Sequence, residues 1–564
     1  MWGSSQAYTN DGLPFPNDGL PFYQLSHFLK VPLRQDDDRC ADYDMALRLE
    51  ELQKTLADEK RSEFEVNLVA RARTAYHQDL LQRWNAFADA QLNNERLTSI
   101  KIHNIQLPPA PFFKDKLLPI LNKNQLTSLE LRRRVSGTFI RNALRVLEKR
   151  CGALVALDLA SNKTQIKDMA DYQLLSKVIG NHPSLSYVNL SDNGLGENVD
   201  HLALVLKGSD KLESLILDSN SIASNGLDLI IEHLKTNKTL TTLSLSDNLF
   251  GPDGAKALAK TFQNNDDMEL RELDLSLNGL TLGSKVESKV LCDTLLHIDL
   301  QSNQIKLPGM RNIVAYLEGN PPLACLNLAG NTLRNNVAPL LMGALKRNTN
   351  LAHLNLKHNS FTKASVPCIV DALKNNSTLL TLNLSDNKIM HKSGGRAELV
   401  KNALYDTTSL QTIIESNHSC QVYLSDSNYG TRETHEVEVR KMNAFGSEGK
   451  TIRYKLVLAM FTLKAIPFNP HSFQHLPLEL MPRLLEFVQQ EMGYKGFGKG
   501  IWRATRTGKG ARCLTRVYEV ITGWSMLPSL FERGPGKVKK KRKKATKKRK
   551  WEDDEDWIPG KKHE

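Results

Sequence analysis

From residue 154 to residue 387 the apolar positions fall into one recurring frame, L-x-x-L-x-L-x-x-N. It occurs at 154–162, 185–193 (with Val188 for the second Leu), 212–220, 240–248, 270–278, 295–303, 323–331, 351–359 and 379–387. The step is 28 residues at 212→240, 295→323, 323→351 and 351→379, and 25 to 31 elsewhere. Within each unit the leucines first alternate with polar residues, which is the pattern of a half-buried strand. The spacing then switches to that of a helix: Ala255, Leu258, Ala259 and Phe262; Leu340, Leu341, Ala344 and Leu345; Ile369, Ala372 and Leu373. Side chains two apart share a strand face and side chains three or four apart share a helix face, so each unit predicts one strand and one helix. A fixed period of this size means a solenoid.

Weaker copies flank the regular ones. Leu97, Ile100 and Ile102 predict a first strand, and Leu126, Leu129 and Leu131 a second, with Arg134 where Asn is expected. A last unit starts at Leu410 and Ile413 and puts His418 at the Asn position. Twelve strands are therefore expected. Parallel strands stack about 4.8 Å apart and helices about 8–10 Å apart, so the array must curve with its strands inside. Alternating strand and helix, units near 28 residues and the Asn-terminated frame resemble the ribonuclease-inhibitor class of leucine-rich repeats over roughly 97–418. The resemblance implies an α/β horseshoe with a parallel inner sheet, outer helices and helical caps, acting by binding protein partners without chemistry. Ran GTPase-activating proteins have the same repeat class, and a regulator of a Ran-like small GTPase is the alternative this implies. Their tail is acidic, whereas the tail here is basic.

The ends of the chain divide by composition. Residues 1–32 are rich in Pro and Gly and carry NDGLPF twice, the pattern of a disordered segment. Residues 33–96 lack Gly and Pro, and Met45, Leu49, Leu52, Leu56, Phe64 and Leu68 recur at helical spacing. A helical N-terminal cap is expected there, with a coiled coil as the alternative. A C-terminal cap is expected over 419–492, with helices at 451–463 and 478–490. A basic Gly-rich segment with one more helix should fill 493–532, and a disordered tail 533–564.

Charge sharpens this division. The net charge of +13 lies entirely beyond residue 491: residues 492–518 hold seven Lys/Arg and no acid, and 533–564 hold fourteen against six. Any basic function therefore belongs to the C-terminal part. Lys537, Lys539, Lys540, Lys541, Arg542, Lys543, Lys544, Lys547, Lys548, Arg549 and Lys550 form a run that suits importin recognition. The expected location is the nucleus, with the nucleolus as a refinement and the cytoplasm as the alternative. Tyr494, Phe497 and Trp502 among Lys495, Lys499, Arg503 and Arg506 suit stacking on unpaired bases. Weak nonspecific nucleic-acid binding by 493–550, as in a nuclear RNA-associated factor, is thus a third expectation. No apolar run is long enough to span a bilayer, and the first thirty residues show no secretory pattern. Seven widely spaced cysteines without C-x-x-C fit reduced thiols. Most should be small core residues, while Cys325 falls at a solvent-side strand position and is the one to test for reactivity.

The Asn column, Asn162 through Asn387, is expected to be structural, capping backbone groups where the chain leaves each strand. Partner contacts are expected between the leucines. The middle position reads Asp158, Asn189, Ile216, Ser244, Asp274, Asp299, Asn327, Asn355 and Asn383. Asp274 and Asp299 should stand side by side with Glu272 near them, either as solvated carboxylates with Arg271 nearby or as a docking patch for a basic surface. Asn327, Asn355 and Asn383 form a neutral polar row flanked by His353, Lys357 and His358. His297, His353 and His358 lack a carboxylate or Cys at ligand spacing, so no metal and no cofactor are expected. The Gly-rich stretch 493–500 lacks the hydroxyl after Lys499 that a phosphate-binding loop needs, and no catalytic motif occurs, so no catalytic residue is assigned. A monomer is expected.

Overall fold

The computed structural model describes 63–67, 97–424 apart from short internal gaps (the longer being 104–112, 122–125, 199–210 and 390–396), and the single positions 85, 88, 89, 92, 443, 451 and 455. The chain forms two compact units, Met1–Ala459 and Met460–Glu564. The second lies outside the described residues, as do the expectations for 1–32, for the helices at 478–490 and 512–531, and for the tail.

The first unit is one parallel sheet whose strands follow chain order: β1 (Glu63–Asn67), β2 (Ser99–His103), β3 (Ser128–Arg132), β4 (Ala156–Asp158), β5 (Tyr187–Asn189), β6 (Ser214–Ile216), β7 (Thr242–Ser244), β8 (Glu272–Asp274), β9 (His297–Asp299), β10 (Cys325–Asn327), β11 (His353–Asn355), β12 (Thr381–Asn383) and β13 (Gln421–Tyr423). Register is conserved from unit to unit; Leu326 pairs with Ile298 on one side and Leu354 on the other. Helices return the chain behind the sheet, among them Gly137–Arg150, Met169–Asn181, Ser224–Leu234, Gly251–Gln263, Leu307–Glu318 and Val366–Asn375. The frame leucines and the inner helix residues merge into one continuous core. Leu340 departs from expectation: it is 38% exposed, while Leu341, Ala344 and Leu345 on the same helix are buried. No helix among the described residues is long and apolar enough to cross a membrane.

Both ends correct the expected boundaries. Phe64, expected on a helix, lies in β1, which pairs with β2 from Glu63↔Ser99 to Asn67↔His103. The ladder thus has thirteen strands among the described residues rather than twelve, and it starts inside the expected helical cap. At the other end Leu410 and Ile413 belong to a helix, Leu410–Ile414, and the strand comes later, at Gln421–Tyr423. His418 is consequently not a frame residue. Its Nε2 lies 2.9 Å from the Ile414 carbonyl, and its Nδ1 faces the Lys455 ammonium at 3.2 Å.

Two asparagine ladders tie the units together. In the expected one, Asn359 is typical. Its Nδ2 donates to the carbonyls of Leu328 (3.0 Å) and Leu356 (3.1 Å), and its Oδ1 accepts from the amides of Asn331 (3.1 Å) and Leu333 (3.0 Å). The residue before each of these Asn is left-handed, from Ser161 (φ 62°) to Asp386 (φ 56°), which turns the chain sharply off the strand. The second ladder was missed from the sequence. Asn237, Asn348, Asn376 and Asn417 each stand three residues before the opening apolar position and cap its amide through Oδ1 at 2.7–2.8 Å. Asn376 and Asn417 also donate through Nδ2 to carbonyls of the preceding unit. Asn443 continues this ladder past the last strand, donating to the carbonyls of Asn417 (3.1 Å) and Cys420 (2.7 Å).

Beside that rung Lys455 is fully buried, its ammonium donating to the Leu404 and Asn417 carbonyls and to His418. Burial lowers its pKa to about 7. An unfolded lysine, near 10.4, binds a proton that the folded chain has released above about pH 7, so this group adds stability as pH rises from about 7 to about 10. Between pH 7 and 9 the melting temperature of the native protein should rise relative to that of Lys455→Met; parallel curves in thermal denaturation would refute this. Asn359→Ala strands four backbone groups and should cost at least about 3 kcal/mol in denaturant unfolding.

Candidate functional site

The concave face is lined by the residues between the leucines, and their fate is decided by the turn that follows. In each unit the chain bends two residues past the middle position, leaving one backbone amide without a sheet partner. An Asp or Asn at the middle position caps it. The Oδ1 atoms of Asp158, Asn189, Asp274, Asp299, Asn327, Asn355 and Asn383 accept from the amides of Ala160, Ser191, Ser276, Gln301, Ala329, Lys357 and Ser385 at 2.8–3.1 Å. Where the middle residue is Ser244, the acceptor comes from the neighbouring unit: Asp218 Oδ1 takes both the Ser246 amide (3.0 Å) and the Ser244 hydroxyl. The expected partner-contact column is therefore first a structural one.

Three of the expected contact residues are largely covered. Asp158, Asn327 and Asn355 are 1%, 0% and 7% exposed, and of these only Asn355 keeps an outer atom, Nδ2, without a partner among the described residues. Asp158 is closed in by Arg132 Nη2 (2.5 Å) and Asn189 Nδ2 (2.8 Å), and Arg132 and Lys101 also bracket Glu130 at 3.4 and 3.5 Å. Burial pushes the Asp158 carboxyl up, and Arg132 opposes that shift. Charges at this end of the sheet are thus neutralised within the fold. Asn327 spends its Nδ2 on Asp299 Oδ2 (2.9 Å) and Gln301 Oε1 (3.2 Å).

Asp274 and Asp299 do stand on adjacent strands in direct register. Arg271 pairs instead with Glu269 at 3.4 Å. Asp299 is engaged by Gln301 and Asn327. Asp274 takes the Ser276 amide and hydroxyl on Oδ1 alone, and no partner of its Oδ2 occurs among the described residues. Asn383 and Asn355 likewise use Oδ1 for the turn, and their Nδ2 atoms have no partner among the described residues. Lys357 pairs with Asp386 at 3.4 Å. His358 sits on the exposed left-handed turn (φ 52°), off the strand face.

One column nearer the strand start, Glu272, His297, Cys325, His353 and Thr381 form a row in register. The sequence showed no Cys at ligand spacing from these histidines, yet register sets Cys325 between them. His297 Nδ1 is 3.7 Å from Glu272 Oε1, and His353 Nδ1 is 2.8 Å from Thr381 Oγ1. Burial first, and His297 second, hold the His353 imidazole below its usual range. Among the described residues no three such side chains come together as a metal-ligand set. Cys325 contradicts the expected exposure: it is 9% exposed, and burial with the nearby Glu272 carboxylate pushes its thiol up to about 12. The basic run 537–550 and the aromatic–basic segment after Gly493 lie outside the described residues.

A family model described as Leucine Rich repeat matches residues 236–259 and 375–397. The chain is similar to "NACHT, LRR and PYD domains-containing protein 14" of Mus musculus, 31% identical over 156 residues, covering 27% of this chain and 16% of that protein. It is similar also to "Tonsoku-like protein" of Danio rerio, 28% identical over 241 residues, covering 38% of this chain and 16% of that protein. The chain thus spans under a fifth of the length of these relatives. Among solved structures, the leucine-rich repeat-containing protein LegL7 of Legionella pneumophila aligns at 18% identity with a TM-score of 0.34, over 54% of this chain and 94% of its own.

A buried thiol pushed this high has almost no thiolate at neutral pH. Native protein at pH 8 should therefore bind the same amount of a thiol reagent with and without Cys325→Ser. Labelling that falls by one equivalent in the variant would show Cys325 to be accessible.

Proposed function

Starting from a chain that is a leucine-rich repeat protein, we propose that its concave sheet docks a protein partner by binding alone, without chemistry of its own. The observation that carries this is the division of the middle column. Most of its polar atoms are consumed by the turns, and the outer atoms of Asp274, Asn355 and Asn383 are left facing the concave side among the described residues. A polar row on a sheet locked by two ladders is preorganised, which lowers the entropy cost of binding. The adjacent carboxylates of Asp274 and Asp299 favour a cationic partner group at that point.

The run 537–550, with eleven Lys/Arg in fourteen residues, supports nuclear import through importin. Its charge is separate from the repeat body, whose residues up to 491 balance to zero. Location and docking are therefore assigned to different parts of the chain.

Proximity labelling in cells tests both assignments. Asp274→Asn with Asp299→Asn keeps the oxygens that cap the turns and removes the charge. Partners of the native protein should be lost from the double variant, and an unchanged partner set would count against the concave face. Deleting 537–550 should move a fluorescent fusion out of the nucleus; unchanged nuclear signal would remove that role from the run.

A further inference from the structure

Where the middle residue is Asp or Asn, the turn takes Oδ1 and leaves one outer atom, and that atom differs along the sheet. On β8 it is a carboxylate oxygen, Asp274 Oδ2; on β11 and β12 it is an amide nitrogen, the Nδ2 of Asn355 and Asn383. Between them Asn327 Nδ2 donates to Asp299 Oδ2, so those two outer atoms are spent on each other while the Asp299 charge stays beside Asp274. The face is thus an acceptor at one end and a pair of donors at the other, separated by a self-satisfied stretch. His353 does not alter this polarity. Its Nδ1 is engaged by Thr381, and burial, with His297 second, disfavours the charged ring.

We infer that the concave face takes an extended peptide segment with a Lys or Arg opposite Asp274 and Asp or Glu side chains opposite Asn355 and Asn383. This rests on the docking role proposed above and goes beyond it in naming the partner's chemistry and spacing. Three strand steps separate β8 from β11, about 14 Å, and four separate it from β12, about 19 Å. In an extended chain, residues i, i+4 and i+6 share one face and lie about 13 and 20 Å apart from the first. The fitting segment therefore carries its cation at i and its carboxylates at i+4 and i+6. The alternation puts the intervening side chains away from the sheet, so their identity matters little. A cation at i meets the uncompensated carboxylate, where charge-assisted bonds are about twice as strong as neutral ones. The carboxylates meet donors only, since the acceptor oxygens of both asparagines are already committed to the Lys357 and Ser385 amides.

Fluorescence anisotropy with the full chain and labelled ten-residue synthetic peptides tests this. One peptide carries Lys at i and Glu at i+4 and i+6 on a Ser/Thr background. A second shortens the spacing to i+2, and a third replaces both Glu by Gln. The first should bind about tenfold more tightly than either control, the gain of one charge-assisted hydrogen bond. Asn355→Asp with Asn383→Asp preserves the capping oxygens, as Asp274 and Asp299 do in their own units, and its melting curve checks that it folds, with Asn383→Asp alone, at the half-buried site, as the second variant. The double variant should lose the preference for the Glu peptide and prefer one with Lys at i+4 and i+6. Equal binding of all peptides, no binding of any, or a preference that survives the double variant overturns the inference. If the peptides fail while Asp274→Asn with Asp299→Asn still loses cellular partners, docking stands and only the assigned chemistry falls; if both fail, both fall.

Discussion

The fold rests on satisfying backbone groups at two bends in every unit. A solenoid buries both bends between neighbours, where water cannot reach the amides and carbonyls that have left the sheet or the helix. Asparagine solves this because one short side chain carries a donor and an acceptor. At Asn359 these reach two carbonyls and two amides, spanning two units. At Asn376 and Asn417 the same chemistry closes the opposite bend, where the helix returns to the strand. Units that carry both asparagines are thereby stapled to their neighbours at both ends of the strand. Leucine burial drives the stack together, but leucines alone would tolerate slippage along the core; the ladders fix the register that lines up the concave columns.

That division explains what could be read from the chain. The L-x-x-L-x-L-x-x-N frame is both periodic and chemically specific, so strand, core and first ladder were legible from Leu154 to Asn387. The second ladder was less regular: Asn237, Asn348, Asn376 and Asn417 stand three before the opening apolar position, whereas Cys151, His182 and Cys292 hold that place in other units. Its signal was a single polar residue three before the leucine, easily taken for ordinary turn chemistry. β1 was illegible for a different reason. The stretch EFEVN alternates, but it lies in a segment without Gly or Pro where Leu49, Leu52 and Leu56 set a helical period. Pairing with β2 decides the matter, and pairing is not local. At the last unit a helix, Leu410–Ile414, borrowed the spacing of a strand start.

The site was legible in position and not in availability. Alternation placed Asp158, Asp274 and Asn355 on the concave side, and register set Asp274 against Asp299. Whether a side chain remains available depends on what its neighbours one unit away offer. Asp158 is consumed because Arg132 and Asn189 reach it, whereas Asp274 faces Ser244, which has turned toward Asp218. Cys325 shows the same limit. Its strand position points out of the core, yet between His297 and His353 in the register it is only 9% exposed. Such contacts run between residues about 28 apart and leave no trace in the local pattern.

A consequence concerns how a rigid array acquires specificity. Asp and Asn have nearly the same shape, and either caps the turn through Oδ1, as Asp299 and Asn327 do on adjacent strands. Exchanging one for the other leaves the bend satisfied and inverts the atom beside it, from acceptor to donor. The scaffold therefore puts little constraint on which of the two stands at a given unit, and the pattern along the column is open to be set by what the face binds. Where neighbours are an Asp and an Asn, as at 158 and 189 or 299 and 327, their outer atoms pair with each other and present less. Where an Asp neighbours a serine turned aside, or an Asn neighbours an Asn, no such cancellation occurs. Order along the column, and not composition, decides which units of the concave face speak to a partner.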